Sequence, residues 1–121
     1  MTGGTEWMID AYGCAPSRLA SLDEIEALLQ LVVEQAGLNV VSRAAHAFPS
    51  PGGVTAMYLL SESHLTIHTF PEAGLATINL YCCRPRPELD WSALCRRALG
   101  AADVTVRRAA RGAELASSKV A

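Results

Sequence analysis

The sequence predicts an α+β fold, a two-layer sandwich in which an antiparallel sheet has helices packed on one face. Three observations lead to this prediction. Two segments repeat apolar residues at helical spacing, six shorter runs have the composition of strands, and the elements follow the order β-α-β-β-β-β-α-β. With 121 residues, of which 50% are hydrophobic and 18% charged, the chain is expected to form one small domain.

The first helix is the element with the clearest signals. Ser21 and Glu24 have the spacing of a capping box, in which Ser21 caps the helix and Glu24 reaches back to it. Gly37 is expected to end this helix. Its buried stripe is predicted to consist of Leu22, Ile25, Leu28, Leu29, Val32, Val33 and Ala36.

The second helix is predicted between Asp90, which can cap its first turn, and Gly100. Its predicted buried stripe consists of Trp91, Leu94, Ala98 and Leu99. The strands are predicted over residues 7–12, 38–48, 54–60, 65–70, 75–82 and 104–107. Residues 84–87 are interpreted as a linker, and residues 1–6 and the tail from Ala109 as loose ends.

Composition argues against several classes of function. The net charge of −2 comes without any basic stripe of the kind that binds nucleic acid, and no apolar run is long enough to span a bilayer. No signal peptide is recognised, and the four cysteines lack the paired spacing of a zinc site. We therefore expect a cytoplasmic protein with free thiols. Because so small a domain buries a modest share of its surface, pairing with a second copy would add stability.

Residues 61–72, SESHLTIHTFPE, concentrate the reactive side chains of the chain. One interpretation is an amphipathic strand whose histidines face water. A metal site at His64 and His68 is a second interpretation, but residues four apart converge on one face in a helix, and the composition here is that of a strand. In a third, Ser63 attacks the preceding carbonyl and the chain cuts itself. An unbroken strand would place Ser63 and His68 on opposite faces, which is an objection to their acting together unless the chain bends or is cut at Glu62–Ser63, where Ser63 becomes a free end.

This stretch resembles the processing site of the bacterial and archaeal S-adenosylmethionine decarboxylases, the pyruvoyl-dependent enzymes of spermidine synthesis. Further similarity lies in residues 10–14, 46–48, 53–55 and 76–83, so that the resemblance covers residues 7–108 in order. It implies self-cleavage between Glu62 and Ser63 into chains of residues 1–62 and 63–121. Ser63 would become the pyruvoyl group that forms a Schiff base with the substrate amine, without a metal.

The resemblance also implies roles for other residues. His68 would be the base in processing, and Cys83 would return a proton to the decarboxylated carbon, with Cys82 left as a structural thiol or the alternative acid. A homodimer with sites near its interface is implied as well. The substrate would contact Glu72 through its ribose, and Phe48, Leu65, Thr55 and Phe70 would line the pocket.

Three departures from the family pattern bear on the substrate. Asn79 stands where the family usually has Asp, Phe70 where it has Trp, and Thr55 where it has Ser. Two alternatives to S-adenosylmethionine decarboxylation therefore stay open at this point. One is a pyruvoyl-dependent decarboxylase of ornithine or arginine, and the other is a non-enzymatic homologue whose chain stays uncut.

Overall fold

A computed structural model describes residues 3–112, in which six strands form one antiparallel sheet and the α-helices cover one of its faces. In chain order the elements are β1 (Gly4–Tyr12), α1 (Pro16–Leu19), α2 (Leu22–Ala36), β2 (Val40–Ala47), β3 (Val54–Leu60), β4 (Ser63–Phe70), β5 (Leu75–Cys82), α3 (Trp91–Leu99) and β6 (Asp103–Arg111). A single turn of 3₁₀-helix, Pro71–Ala73, joins β4 to β5. The predicted α+β fold class is confirmed.

The strands lie in the order β2-β3-β4-β5-β1-β6, and every neighbouring pair is antiparallel. Strands β2 to β5 follow one another as in a meander. The first strand then pairs with both β5 and β6, so it lies inside the sheet. The sequence predicted the elements, whereas this order depends on pairings between distant segments.

The cap of α2 is confirmed only in part. The Ser21 hydroxyl accepts a hydrogen bond from the Glu24 backbone N–H at 3.3 Å, and Gly37 ends the helix with a φ of 65°. The Ser21 N–H, which Glu24 was expected to bind, donates instead to the carbonyl of Arg18. The reason is the short helix α1, which was not predicted and which places its last carbonyls beside Ser21.

Buried and exposed side chains alternate along the strands, so one face of the sheet is buried and the other is exposed. The inner face packs on the helices in one continuous core. The opposite, outer face has no helix over it among residues 3–112, and its exposed apolar side chains include Met57 and Leu59, which are 53% and 54% exposed. The residues of β3 and β4 on this outer face are Thr55, Met57, Leu59, His64, Thr66, His68 and Phe70.

The two ends of the described chain are more ordered than predicted. Gly3 donates its N–H to the carbonyl of Arg111, and β1 pairs with β6 along its whole length from Gly4 to Tyr12. The expectation that residues 3–6 and 109–111 are loose is therefore wrong, because each segment supplies backbone partners for the other. The rest of both predicted loose ends, residues 1–2 and 113–121, lies outside the described residues.

The longest helix among residues 3–112 is α2, with 15 residues. None of the helices in this range combines the length and the hydropathy that a membrane-spanning helix needs.

Candidate active site

The bond that was predicted to break lies in the tight turn between β3 and β4. Leu60 pairs with Ser63, so Ser61 and Glu62 form a two-residue hairpin loop. Such loops usually take a primed turn, which needs a positive φ, but no non-glycine residue among those described has one. The turn therefore takes an unprimed form, and contacts from outside the hairpin become important for holding it.

These contacts come from the segment after β5. The Cys83 backbone N–H donates to the Glu62 carbonyl oxygen at 3.2 Å. The Glu62 carboxylate accepts from Arg86 at 2.8 Å and lies 3.4 Å from the Arg84 Nε. Both the carbonyl that Ser63 would attack and the side chain of the same residue are thus held by residues 83–86. We call Glu62, Ser63, Cys82, Cys83, Arg84 and Arg86 the processing cluster.

The two adjacent cysteines of the processing cluster differ in environment. Cys82 is 1% exposed and lies on the inner face in register with Ser63. Burial raises the pKa of the Cys82 thiol, and the Arg86 guanidinium nearby offsets part of this effect. Cys83 is exposed. The four cysteines of the chain all lie within the described residues and form no disulfide.

A second group of predicted residues meets at the other end of β3 and β4. A cavity of about 370 Å³ is lined there by the side chains of five of them and by the adjacent turn. This size is within the range of small-molecule sites. We call these residues the pocket cluster, and they are Phe48, Thr55, His68, Phe70 and Glu72.

The pocket cluster depends on a close approach of two chain segments. At Gly53 a side-chain carbon would collide with the Thr69 carbonyl oxygen, so only glycine fits there. The Thr69 hydroxyl accepts from the Val54 N–H at 2.7 Å and donates to the Leu19 carbonyl at 2.6 Å. This fixes the start of β3 against the end of β4. On the outer face Thr55 and His68 then lie side by side, with Oγ1 and Nδ1 3.1 Å apart.

Within one chain the two clusters are far apart. Strand β4 runs unbroken from Ser63 to Phe70, with Ser63 on the inner-face register and His68 exposed on the outer face. At about 3.3 Å per residue, the two Cα atoms are about 16 Å apart. The structure thus brings His68 together with Thr55 and Glu72, but it does not bring His68 to the Ser63 of the same chain.

One predicted pocket residue is corrected by the structure. Leu65 was expected to line the substrate pocket, but its side chain is 0% exposed in the core. It lies on the inner face of β4 because it is an odd number of residues from His64 and His68, which face outward. The Leu65 side chain is therefore not part of the pocket lining in this chain.

A polar chain on the outer face was not predicted. Arg111 donates to the Glu6 carboxylate at 2.5 Å, Glu6 accepts from the Asn79 amide nitrogen at 2.7 Å, and the Asn79 amide oxygen lies 3.2 Å from Nε2 of His64. The hydrogen bond from Asn79, followed by that from Arg111, lowers the pKa of Glu6. Glu6 therefore places a carboxylate beside Asn79, and Arg111 pairs with that carboxylate.

The histidine pair does not form a metal site in one chain. His64 and His68 do share the outer face, but four residues of strand place their Cα atoms about 13 Å apart. No group of three or more potential ligands that could hold a metal occurs among residues 3–112.

Sequence reasoning missed two parts of this site. Residues 84–87 were read as a linker, although two arginines directly after the expected acid cysteine were a signal for an anionic partner. The partners of Asn79 could not be found from the sequence, since Glu6 and Arg111 reach it only through the pairing of β1 with β5 and β6.

Comparisons with known proteins agree on one family. A family model described as S-adenosylmethionine decarboxylase matches residues 5–112. An S-adenosylmethionine decarboxylase proenzyme from Shouchella clausii is 39% identical over 84 residues, which are 69% of this chain and 64% of that protein. The proenzyme from Moorella thermoacetica is 34% identical over 112 residues, covering 90% and 87% of the two chains.

A solved structure is similar along nearly the whole chain. The crystal structure of the adenosylmethionine decarboxylase from Aquifex aeolicus superposes with a TM-score of 0.78 at 31% identity, and the match covers 92% of each chain. In sequence comparison, however, this chain spans just under two thirds of the length of the Shouchella protein and 60% of an Aquifex proenzyme.

Proposed function

This chain belongs to the S-adenosylmethionine decarboxylase family, and we propose that it is a proenzyme that cuts itself between Glu62 and Ser63 and then decarboxylates S-adenosylmethionine. The product, decarboxylated S-adenosylmethionine, would serve as the aminopropyl donor for spermidine. One observation supports this proposal most directly. The Glu62 carbonyl, which self-cleavage must attack, already accepts a backbone hydrogen bond from Cys83.

The cleavage chemistry follows from the residues of the processing cluster. The Ser63 hydroxyl attacks the Glu62 carbonyl carbon, and the negative charge that develops on the oxygen is stabilised by the Cys83 N–H. The Glu62–Ser63 C–N bond breaks as its nitrogen takes a proton, which leaves an ester. Loss of the Ser63 Cα proton then expels Glu62 as a carboxylate. The dehydroalanine that remains tautomerises to an imine, and hydrolysis of this imine by water releases ammonia and leaves a pyruvoyl group at the start of residues 63–121.

The base for the Cα proton is His68 of a second copy. His68 is about 16 Å along β4 from the Ser63 of its own chain, which is too far for it to take the Ser63 Cα proton there. A two-fold axis through the middle of β4 that packs two outer faces together would set the Ser63 end of one β4 against the His68 end of the other. The exposed apolar side chains of that face, Met57 and Leu59 among them, favour such a homodimer.

The same dimer would assemble the decarboxylation site. Once formed, the pyruvoyl carbonyl supplies the electron sink that decarboxylation of an amino acid requires. The pocket cluster would hold the substrate, with the Glu72 carboxylate accepting from ribose hydroxyls and the rings of Phe48 and Phe70 beside the sulfonium cation. The exposed thiol of Cys83 would return a proton to the product carbon.

The alternative substrates are not favoured. The curated relatives named above all bear the name of S-adenosylmethionine decarboxylase. With four free thiols, we place this reaction in a reducing cytoplasm.

The test begins with freshly made full-length protein on a denaturing gel. We expect two fragments whose masses match residues 1–62 and a chain of 63–121 that begins with pyruvate, and a single intact chain for Ser63→Ala. Release of CO₂ is then followed with S-adenosylmethionine, ornithine and arginine in separate reactions, and only the first is expected to react. A folded wild-type chain that stays intact would refute the proposal.

A further inference from the structure

Two arginines hold the Glu62 side chain, and their role rests on the self-cleavage proposed above. Arg86 and Glu62 are joined by a charge-assisted hydrogen bond of 2.8 Å, and their side chains are only 20% and 23% exposed. Arg84 contacts the same carboxylate at 3.4 Å, but it is 72% exposed. Because water screens an exposed pair and leaves it mobile, the Arg86 contact is the stronger of the two.

Arg86 reaches Glu62 from a stiff segment. Pro85 and Pro87 flank it, and each fixes one backbone angle of the linker. The Arg86 Nε is buried and has no hydrogen-bond partner within residues 3–112, so this part of the guanidinium lies against protein. Arg86 therefore has little conformational freedom, and it restricts the position of the Glu62 carboxylate that it binds.

The position of Glu62 matters because its carbonyl carbon is the atom under attack. The two-residue turn at Ser61 and Glu62 has no primed geometry to hold it, and the Cys83 N–H bond to the Glu62 carbonyl is 3.2 Å long. A second point of attachment on the same residue restricts rotation of the carbonyl away from Cys83. Small misplacements of a reacting atom are known to slow reactions strongly.

We propose that Arg86 is a positioning residue for self-cleavage, which clamps the Glu62 side chain so that the Glu62 carbonyl stays on the Cys83 N–H and in reach of the Ser63 hydroxyl. Arg86 takes no part in bond making. It acts before the first chemical step, so its loss should slow the amide-to-ester conversion and leave the later steps unchanged.

The experiment follows the rate of fragment formation in freshly made full-length protein. Arg86→Gln is expected to slow cleavage about tenfold to a hundredfold, the effect of losing one part-buried, charge-assisted bond. Arg86→Lys, which keeps the charge, should recover part of the rate. Arg108→Gln, which removes an exposed ion pair with Glu88 outside the processing cluster, is the control and is expected to change the rate less than about threefold.

Two further measurements separate positioning from a structural role. Glu62→Gln combined with Arg86→Gln should cleave no more slowly than the slower single variant, because both remove one interaction. Neutral hydroxylamine cuts esters but not amides, so the uncut Arg86→Gln chain should resist it. In the uncleavable Ser63→Ala background, adding Arg86→Gln should leave the chain folded and lower the thermal midpoint by no more than about ten degrees, the effect of losing one such bond.

Each other outcome overturns the proposal. If the wild-type chain cuts itself and the Arg86→Gln chain does so equally fast, the positioning role of Arg86 is refuted while the proposed function stands. A hydroxylamine-sensitive chain, additive effects of the two variants or a large loss of stability would assign Arg86 to a later step or to folding. A wild-type chain that never cuts itself refutes the proposed function, and the clamp with it.

Discussion

His64 and Asn79 are joined on the outer face of the sheet, with Nε2 of the imidazole 3.2 Å from Oδ1 of the amide. The Glu6 carboxylate can only accept, so the Asn79 amide nitrogen must donate to it, and the Asn79 oxygen faces His64. An amide oxygen cannot donate. His64 therefore carries its proton on Nε2, and Nδ1 is the free acceptor when the ring is neutral.

This arrangement predicts the tautomer of His64. In the uncut Ser63→Ala chain near pH 8, where histidine is ordinarily neutral, long-range proton–nitrogen NMR spectra should show His64 in the Nε2–H form. In Asn79→Ala, His64 should become a mixture of the two tautomers, because the amide oxygen that accepts from Nε2 is gone. Thr77→Ala, on the same face of β5, is the control and should leave the tautomer unchanged. A dominant Nδ1–H form before mutation would contradict the polar chain.

The separation of Ser63 from His68 predicts complementation between two inactive variants. Ser63→Ala lacks the nucleophile and His68→Ala lacks the base, so neither should cut itself alone. When the two are expressed together, the His68→Ala chain should be cut, because its Ser63 meets His68 of the other chain. The measurement is a denaturing gel with chains of different tag length.

The mixed sample distinguishes action within one chain from action between chains. If His68 served its own Ser63, co-expression would leave both variants intact. Cutting of the Ser63→Ala chain in the mixture would also contradict the scheme, because that chain has no hydroxyl to become the pyruvoyl group.

The different burial of Cys82 and Cys83 predicts different effects of two serine variants. Cys83→Ser keeps the backbone N–H that binds the Glu62 carbonyl, so it should still cut itself. Its CO₂ release should fall about a hundredfold or more, because the acid is lost. Cys82→Ser, changed at a buried thiol, should keep most of its turnover. The reverse ranking in steady-state kinetics would move the acid role to Cys82.

Stability should fall in alkali because of a buried thiol. Burial, and to a lesser extent Cys14, raises the pKa of Cys95 from 9.0 to about 12. Above the unfolded value the unfolded chain loses this proton while the folded chain keeps it, so the free energy of unfolding decreases as pH rises. From about pH 8 to about pH 10.5, Cys95 should account for a loss of about 2 kcal/mol.

Urea unfolding of the Ser63→Ala chain at those two pH values measures this effect. Cys95→Ala should reduce the loss by that amount, whereas Cys83→Ala, changed at an exposed thiol, should not. Equal pH dependence with and without Cys95 would show that its proton is not retained in the folded chain.

Local signals in the sequence determined the secondary-structure elements. Strands β3 and β5 and helix α3 have the predicted bounds, because capping residues, glycines and side-chain alternation act over a few neighbouring residues. The motif around Ser63 and the family could likewise be recognised from one contiguous stretch, residues 61–72. The opposite faces of Ser63 and His68 also followed from the period of a strand.

Only the tertiary structure decided which distant residues meet. The registers of β1 with β5 and β6 join Glu6 to Asn79 and Arg111, and the chain after β5 turns back to place Arg86 on Glu62. Leu65 was misjudged because burial depends on which face the helices cover. The residues in these contacts are separated by dozens of positions along the chain. Bringing them together costs conformational entropy, which is offset only when the whole sheet and its core form together. No local pattern encodes them.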